Sequence, residues 1–213
     1  MIIRPAKRCK VSYQSGLDVS YIGSPVTDDN EYGEGFVIQM ANAPVATKVD
    51  GNTNCYAKFL GWYYDADNSG TIEEAEKTRL YQPGDKFTVP ELNKNGQVIR
   101  FIGQWDYYGY LTISQTGMRE GKSESGIYEV VNSSNAVIAT VMITEKNSVT
   151  LEQVPVGDYT VREISSDWTW TYNPKVQTKN VSVVVNPGED DNKVTFEQVA
   201  ISPIDWLHSE NHR

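Results

Sequence analysis

The feature that most limits this chain is how often short alternating stretches recur between turn residues. In the first half these are KVSYQS (10–15), GFVIQM (35–40), YAKFLGWYY (56–64), KFTVP (86–90) and QVIRFIGQW (97–105). Side chains of a strand point to opposite faces with period two, so such stretches read as half-buried strands. The second half is denser still: YLTISQT (110–116), GIYEVVN (126–132), AVIATVMIT (136–144), SVTLEQV (148–154), GDYTVREIS (157–165), TWTYNP (169–174), NVSVVVN (180–186) and KVTFEQV (193–199). NSSN, EKN, PVGD and NPGEDDN separate them at the short spacing of an antiparallel sandwich. One stretch, TIEEAEKTRLY (71–81), has helix-forming composition, and QPGDK (82–86) stops it. The predicted fold class is therefore mainly β: a small β domain with one short helix, then a β-sandwich.

The 213 residues exceed the ~150 of a one-domain prior. The division predicted is 6–105, 110–199 and a tail at 200–213, with an open junction at DYYGY (106–110). Hydrophobic residues make up 39%, with 13 Tyr and 5 Trp, enough for two small cores. Trp62 and Trp105 fall inside strand patterns and read as core anchors.

Charge and residue usage exclude several functions. A net charge of −9 argues against nucleic acid and anionic membrane as partners. No apolar run is long enough to insert into a membrane. MIIRPAKRCKV lacks the apolar segment of a signal peptide, so a secreted origin would make this chain a fragment without signal or anchor. Both histidines, His208 and His212, lie in the tail, which removes histidine triads and imidazole zinc sites from the folded body. Cys9 and Cys55 leave two outcomes open, a disulfide or two buried thiols.

One stretch has the spacing of a metal site. A calcium loop takes oxygens from its first, third, fifth, seventh, ninth and twelfth residues and a glycine at its sixth. DADNSGTIEEAE supplies Asp65, Asp67, Ser69, the Thr71 carbonyl, Glu73 and Glu76 in those places, and Gly70 in the sixth. The competing reading is a polar turn between strands, since the preceding residues are strand-like and no entering helix is present. A turn chosen for solubility does not require Glu76 at the twelfth place, which favours calcium. DDNEYGE (28–34) and GEDDN (188–192) read as solvated turns. In DWTWTY (167–172) a core role outweighs a carbohydrate or protein contact.

The first half resembles an internalin-type B repeat (Listeria–Bacteroides repeat) in VSYQSG, FLGWYYD, LYQPGDKFTVP and FIGQW. That resemblance implies a β-grasp-like unit. The second half is similar to the Cna protein B-type, or SpaA-like, prealbumin-like domain in LTISQTG, GIYEVVNSSN, VTLEQVPVGDYTVREIS and VTFEQV. Both resemblances imply modules of Gram-positive surface proteins, such as pilins and adhesins. Many Cna B-type sandwiches carry a Lys–Asn isopeptide bond promoted by a buried acid. The acid matches Glu163, but the lysine and asparagine positions hold Gln115 and Gln198. Two amides cannot condense, so no crosslink is predicted; the three residues are expected to form a buried hydrogen-bonded cluster.

The leading functional expectation is a non-enzymatic stalk or adhesin segment, extracellular, calcium-stabilised and flanked by neighbouring domains of a larger surface protein. Its expected partner is a protein or glycan of a host or neighbouring cell. The alternative is a carbohydrate-binding module using Trp and Tyr. A carboxylate-pair glycosidase is disfavoured because domains this small leave little room for a cleft.

Overall fold

The computed structural model describes residues 6–116, 125–144, 147–166 and 177–198. The chain divides into two compact units, Met1–Tyr107 and Tyr108–Arg213. Strands dominate both, and the protein is mainly β.

The first unit contains β1 (Arg8–Gln14), β2 (Tyr21–Gly23), β3 (Glu31–Gly33), β4 (Val37–Gln39), β5 (Ala46–Lys48), β6 (Tyr56–Asp65), β7 (Lys86–Thr88) and the first half of β8 (Gln97–Thr116). β1 is antiparallel to β3 on one side and parallel to β8 on the other, from Cys9 opposite Gln97 to Gln14 opposite Ile102. β6 also pairs with β8, while β2–β5 and β4–β7 form two small ribbons. The core is aromatic. Trp62 is fully buried, with Tyr13 edge-on at 4.9 Å and Phe59 at 5.0 Å, and Phe87 meets Phe101 edge-on at 5.0 Å. Edge-on rings combine large apolar burial with favourable quadrupole contacts.

Two expectations for this half are corrected. The helix over 71–81 is a single 3-10 turn, Glu74–Glu76, with no buried residue. Its composition favours helix, but Ile72, Ala75 and Leu80 make no continuous apolar stripe, and a short helix with no face to bury does not recover its nucleation cost. Tyr81 instead exchanges two backbone hydrogen bonds with Trp62, at 2.8 and 2.9 Å, which holds it extended. Second, DDNEYGE is not wholly a solvated turn, because Glu31–Gly33 pairs with β1. The division between the units, at Tyr107 and Tyr108, falls within the expected junction at 106–110, whose backbone is strand: β8 runs unbroken from Gln97 to Thr116. Trp105, Gly109 and Leu111 keep the inward alternation through it, and tyrosines between them suit an extended backbone.

The second unit comprises the rest of β8, β9 (Ser125–Asn132), β10 (Val137–Thr144), β11 (Ser148–Pro155), β12 (Gly157–Ser166), β13 (Thr178–Val183) and β14 (Lys193–Glu197). One sheet has the order β10-β9-β12-β13, antiparallel throughout. In the other, β8 lies between antiparallel β11 and parallel β14. Inward residues of both sheets share one core, among them Leu111, Ile113, Tyr128, Val161, Val183 and Phe196. This is the predicted sandwich, with one parallel pair. Tyr159 donates its hydroxyl proton to the Pro155 carbonyl at 2.7 Å and ties the β11–β12 turn to the core. DWTWTY, the TWTYNP strand and the 200–213 tail lie outside the described residues.

Candidate metal loop and buried amide cluster

β6 ends at Asp65, and the loop that follows is organised around that carboxylate, which is fully buried. Its Oδ1 accepts from the Ser69 N–H at 3.0 Å, and its Oδ2 from the Gly70 N–H at 2.9 Å. The turn needs two left-handed residues, Asn68 at φ 59° and Gly70 at φ 87°. Asparagine tolerates that region and glycine has no Cβ penalty there, so the NSG sequence suits the bend. Asp67 Oδ1 accepts from the same Ser69 N–H at 2.9 Å, which holds its carboxyl below the usual range. Glu76 reaches back from the 3-10 turn, its Oε1 accepting from the Ala66 N–H at 2.6 Å and its Oε2 from the Glu73 N–H at 3.1 Å.

Of the six predicted ligands, Asp65, Asp67 and Glu76 each offer an oxygen within 4.8 Å of the others. Ser69 Oγ donates to the Thr71 carbonyl at 2.9 Å, so these two groups lie together. Glu73 is exposed and stands outside the trio; its backbone N–H donates to Glu76 Oε2, and its carbonyl accepts from the Glu76 N–H at 3.0 Å. Sequence reading missed Arg100 on β8. Its Nη1 donates to Asp65 Oδ2 at 3.2 Å and to the Asn68 carbonyl at 2.8 Å. The signal was there: a lone cation between Ile99 and Phe101 in an apolar strand must turn to the other face and meet a charge. Two backbone N–H groups and one guanidinium thus meet the buried Asp65 carboxylate, and the trio has the oxygen donors a hard cation takes.

The second cluster lies inside the sandwich. Gln115, Glu163 and Gln198 are at most 3% exposed. Gln198 Nε2 donates to Glu163 Oε1 at 3.2 Å, and Gln115 Nε2 to the Ile143 carbonyl at 3.0 Å. Tyr128 was not foreseen and joins them: its hydroxyl donates to Gln115 Oε1 at 2.8 Å. Burial pushes that phenol up to about 12. Gly126 makes the room, since a Cβ there would lie 2.7 Å from the Tyr128 hydroxyl and 2.9 Å from Gln115 Oε1. Two buried acceptors, Glu163 Oε2 and Gln198 Oε1, have no hydrogen-bond partner among the described residues. Burial raises the Glu163 pKa, and a proton on the carboxyl supplies the donor this pair lacks.

Cys9 and Cys55 are both buried. Burial pushes both thiols up, which makes them poor nucleophiles. Trp62 and Trp105 are internal, donating to the Ala41 and Ser15 carbonyls at 3.0 and 2.6 Å, so neither is a sugar platform.

No protein-family model and no curated protein sequence matches the chain. Three solved structures show a distant likeness. The minor pilin GBS52 of Streptococcus agalactiae is 10% identical, with 92% of this chain and 97% of that one covered at a TM-score of 0.38. The Bacillus anthracis TIE protein is 13% identical, over 92% of this chain and 34% of that one, at 0.36. The group B streptococcus pilus 2b backbone protein is 15% identical, over 60% and 47%, at 0.32. The B-repeat and Cna B-type resemblances therefore stand on their motifs alone.

Proposed function

We propose that this chain is a non-enzymatic, load-bearing segment of an extracellular surface protein, a stalk or adhesin piece, with its first unit stiffened by one calcium ion. One observation carries the first part. In each unit the first and last described strands are hydrogen-bonded neighbours running parallel: β1 with β8, then β8 with β14. Tension applied at the ends pulls such strands past each other along their length, so the evenly spaced bonds of the ladder must yield together. An antiparallel hairpin pulled at its open end loses its bonds one at a time.

Single-molecule pulling tests this. Stretching between the chain ends is expected to need severalfold more force than pulling the β12–β13 hairpin apart from its open end. Equal forces would remove the load-bearing role.

The calcium reading is supported by the convergence of Asp65, Asp67 and Glu76 and by a Gly70 turn that keeps it. Without an ion these carboxylates repel one another, and the Arg100 guanidinium offsets only part of that. Extracellular calcium modules often bind at ~0.1–1 mM, which is the range expected here. Calorimetric titration of wild type and Glu76→Ala is the test. Heat with wild type alone supports the site; no heat and no melting shift at several millimolar calcium makes the loop a plain turn.

A further inference from the structure

The two outer edges of the four-stranded sheet differ in chemistry. β13 presents Lys179 and Asn180, both exposed. β10, VIATVMIT, has no charge, proline or glycine over its whole length. Proteins usually guard an edge with lysine, proline or a bulge, because its open N–H and C=O groups are a template for another strand. The single irregularity in β10 lies at its start, between Val137 and Ala139. Among the described residues β9 is the strand that pairs with it, and the Ile143 carbonyl is occupied by Gln115. Ile138 and Met142 are 42% and 61% exposed on the outer face.

We propose that β10 is a strand-addition edge whose occupant is β10 of a second copy of this chain, antiparallel about a dyad at Thr140. The sequence is self-complementary in that register. Ile138 meets Met142 on the outer face, Thr140 meets its own copy, and on the inner face small Ala139 meets larger Val141. Sliding the dyad to Val141 keeps the faces in phase but sets Ile138 and Met142 opposite threonines, and sliding it to Ala139 sets Ile138 opposite Thr140 and Met142 opposite Ala136, beyond the strand's start. Apolar cross-strand pairs and a Thr–Thr pair each add to sheet stability, and a twofold contact repeats every favourable pair. Charge points the same way. Copies carrying −9 each repel, and this edge brings no carboxylate to the contact. A single pair of strands buries less than the ~1,200 Å² of a stable interface, so the dimer is weak and belongs to crowded surfaces.

Sedimentation velocity on the whole chain, run over a range of concentrations, tests the proposal. Wild type is expected to show a concentration-dependent dimer. Thr140→Lys, at an exposed position, sets like charges opposite each other and is expected to weaken it at least about tenfold with an unchanged circular dichroism spectrum. Thr140→Cys should give an intermolecular disulfide on mild oxidation, and Thr178→Cys on β13 should not. A wild type that stays monomeric up to about 1 mM overturns the proposal. So does a dimer that Thr140→Lys leaves intact, or one trapped through Thr178→Cys instead.

Discussion

The two units handle carboxylates in opposite ways. In the first, Asp65 is buried at a loop base, and Ser69, Gly70 and Arg100 all donate to it. In the second, Glu163 is buried among amides, with no cation facing it among the described residues; Gln115 comes from β8, Tyr128 from β9 and Gln198 from just past β14. The difference is one of available donors. A turn exposes backbone N–H groups that can surround an anion, whereas strand N–H groups inside a sandwich are committed to the ladders. A buried carboxylate at a loop base is therefore met by backbone N–H groups and a guanidinium, and one in the sandwich core by a side-chain amide.

The largest expected effect asks whether the units are independent. Trp62→Ala empties the centre of the first core and removes the donor to Ala41, at a cost of about 3–5 kcal/mol. Hydrogen exchange should then quicken in β1–β7 while β9–β13 keep their protection; loss of both together would break the comparison.

Next comes the buried acid. Because its pKa is raised in the folded state, the folded unit holds a proton that the unfolded chain releases above the ordinary glutamate range. Stability contributed by neutral Glu163 is therefore full below that range and is lost as pH rises toward the folded value. Glu163→Gln keeps the shape and supplies an N–H donor, so it should stabilise the second unit at neutral pH by about 1–3 kcal/mol and flatten its dependence on pH. Denaturant melts from pH 5 to 8, an experimental range of about three units, read this directly.

Arg100→Met sharpens the contrast at the other carboxylate. The pair is partly shielded, at 23% and 0% side-chain exposure, so a loss of about 1–2 kcal/mol is expected, between surface and buried pairs. Millimolar calcium should restore part of it, while magnesium at equal concentration should restore less. The smallest expected effect is none at all: intact mass should equal the sequence mass, because Gln115 and Gln198 have no condensation open to them. A deficit of one ammonia would show a crosslink.

Much of the strand pattern was legible because alternation and turn residues are local signals. β9 to β12 lie within a residue or two of the alternating runs that predicted them. The short ribbons β2 and β5 were not legible, since three residues such as Tyr21–Gly23 are too few to show a period. The 71–81 segment misled because helix propensity is a local quantity, and the partner that keeps Tyr81 extended is Trp62. At the sites, the Asp65, Asp67 and Glu76 trio was readable from spacing and Arg100 showed as a lone cation in an apolar strand, while the partners of Arg100 and Tyr128 follow from strand pairing, which one sequence does not display. The amide cluster was readable only through a resemblance that supplied the register of three distant strands.

The parallel pairs also set the order in which the chain can fold as it emerges from its amino end. β1 has no ladder partner on its β8 side until Gln97–Ile102 appears, and Lys193–Glu197 must appear before the other end of β8 is flanked by β14. Such long closures are slow, and an unfilled edge is exposed while they wait. During synthesis the first unit can close while Thr112–Thr116 still lacks the β14 neighbour. In that interval the half-built β8, and not any finished surface, is where a chaperone or a neighbouring chain would find an open strand.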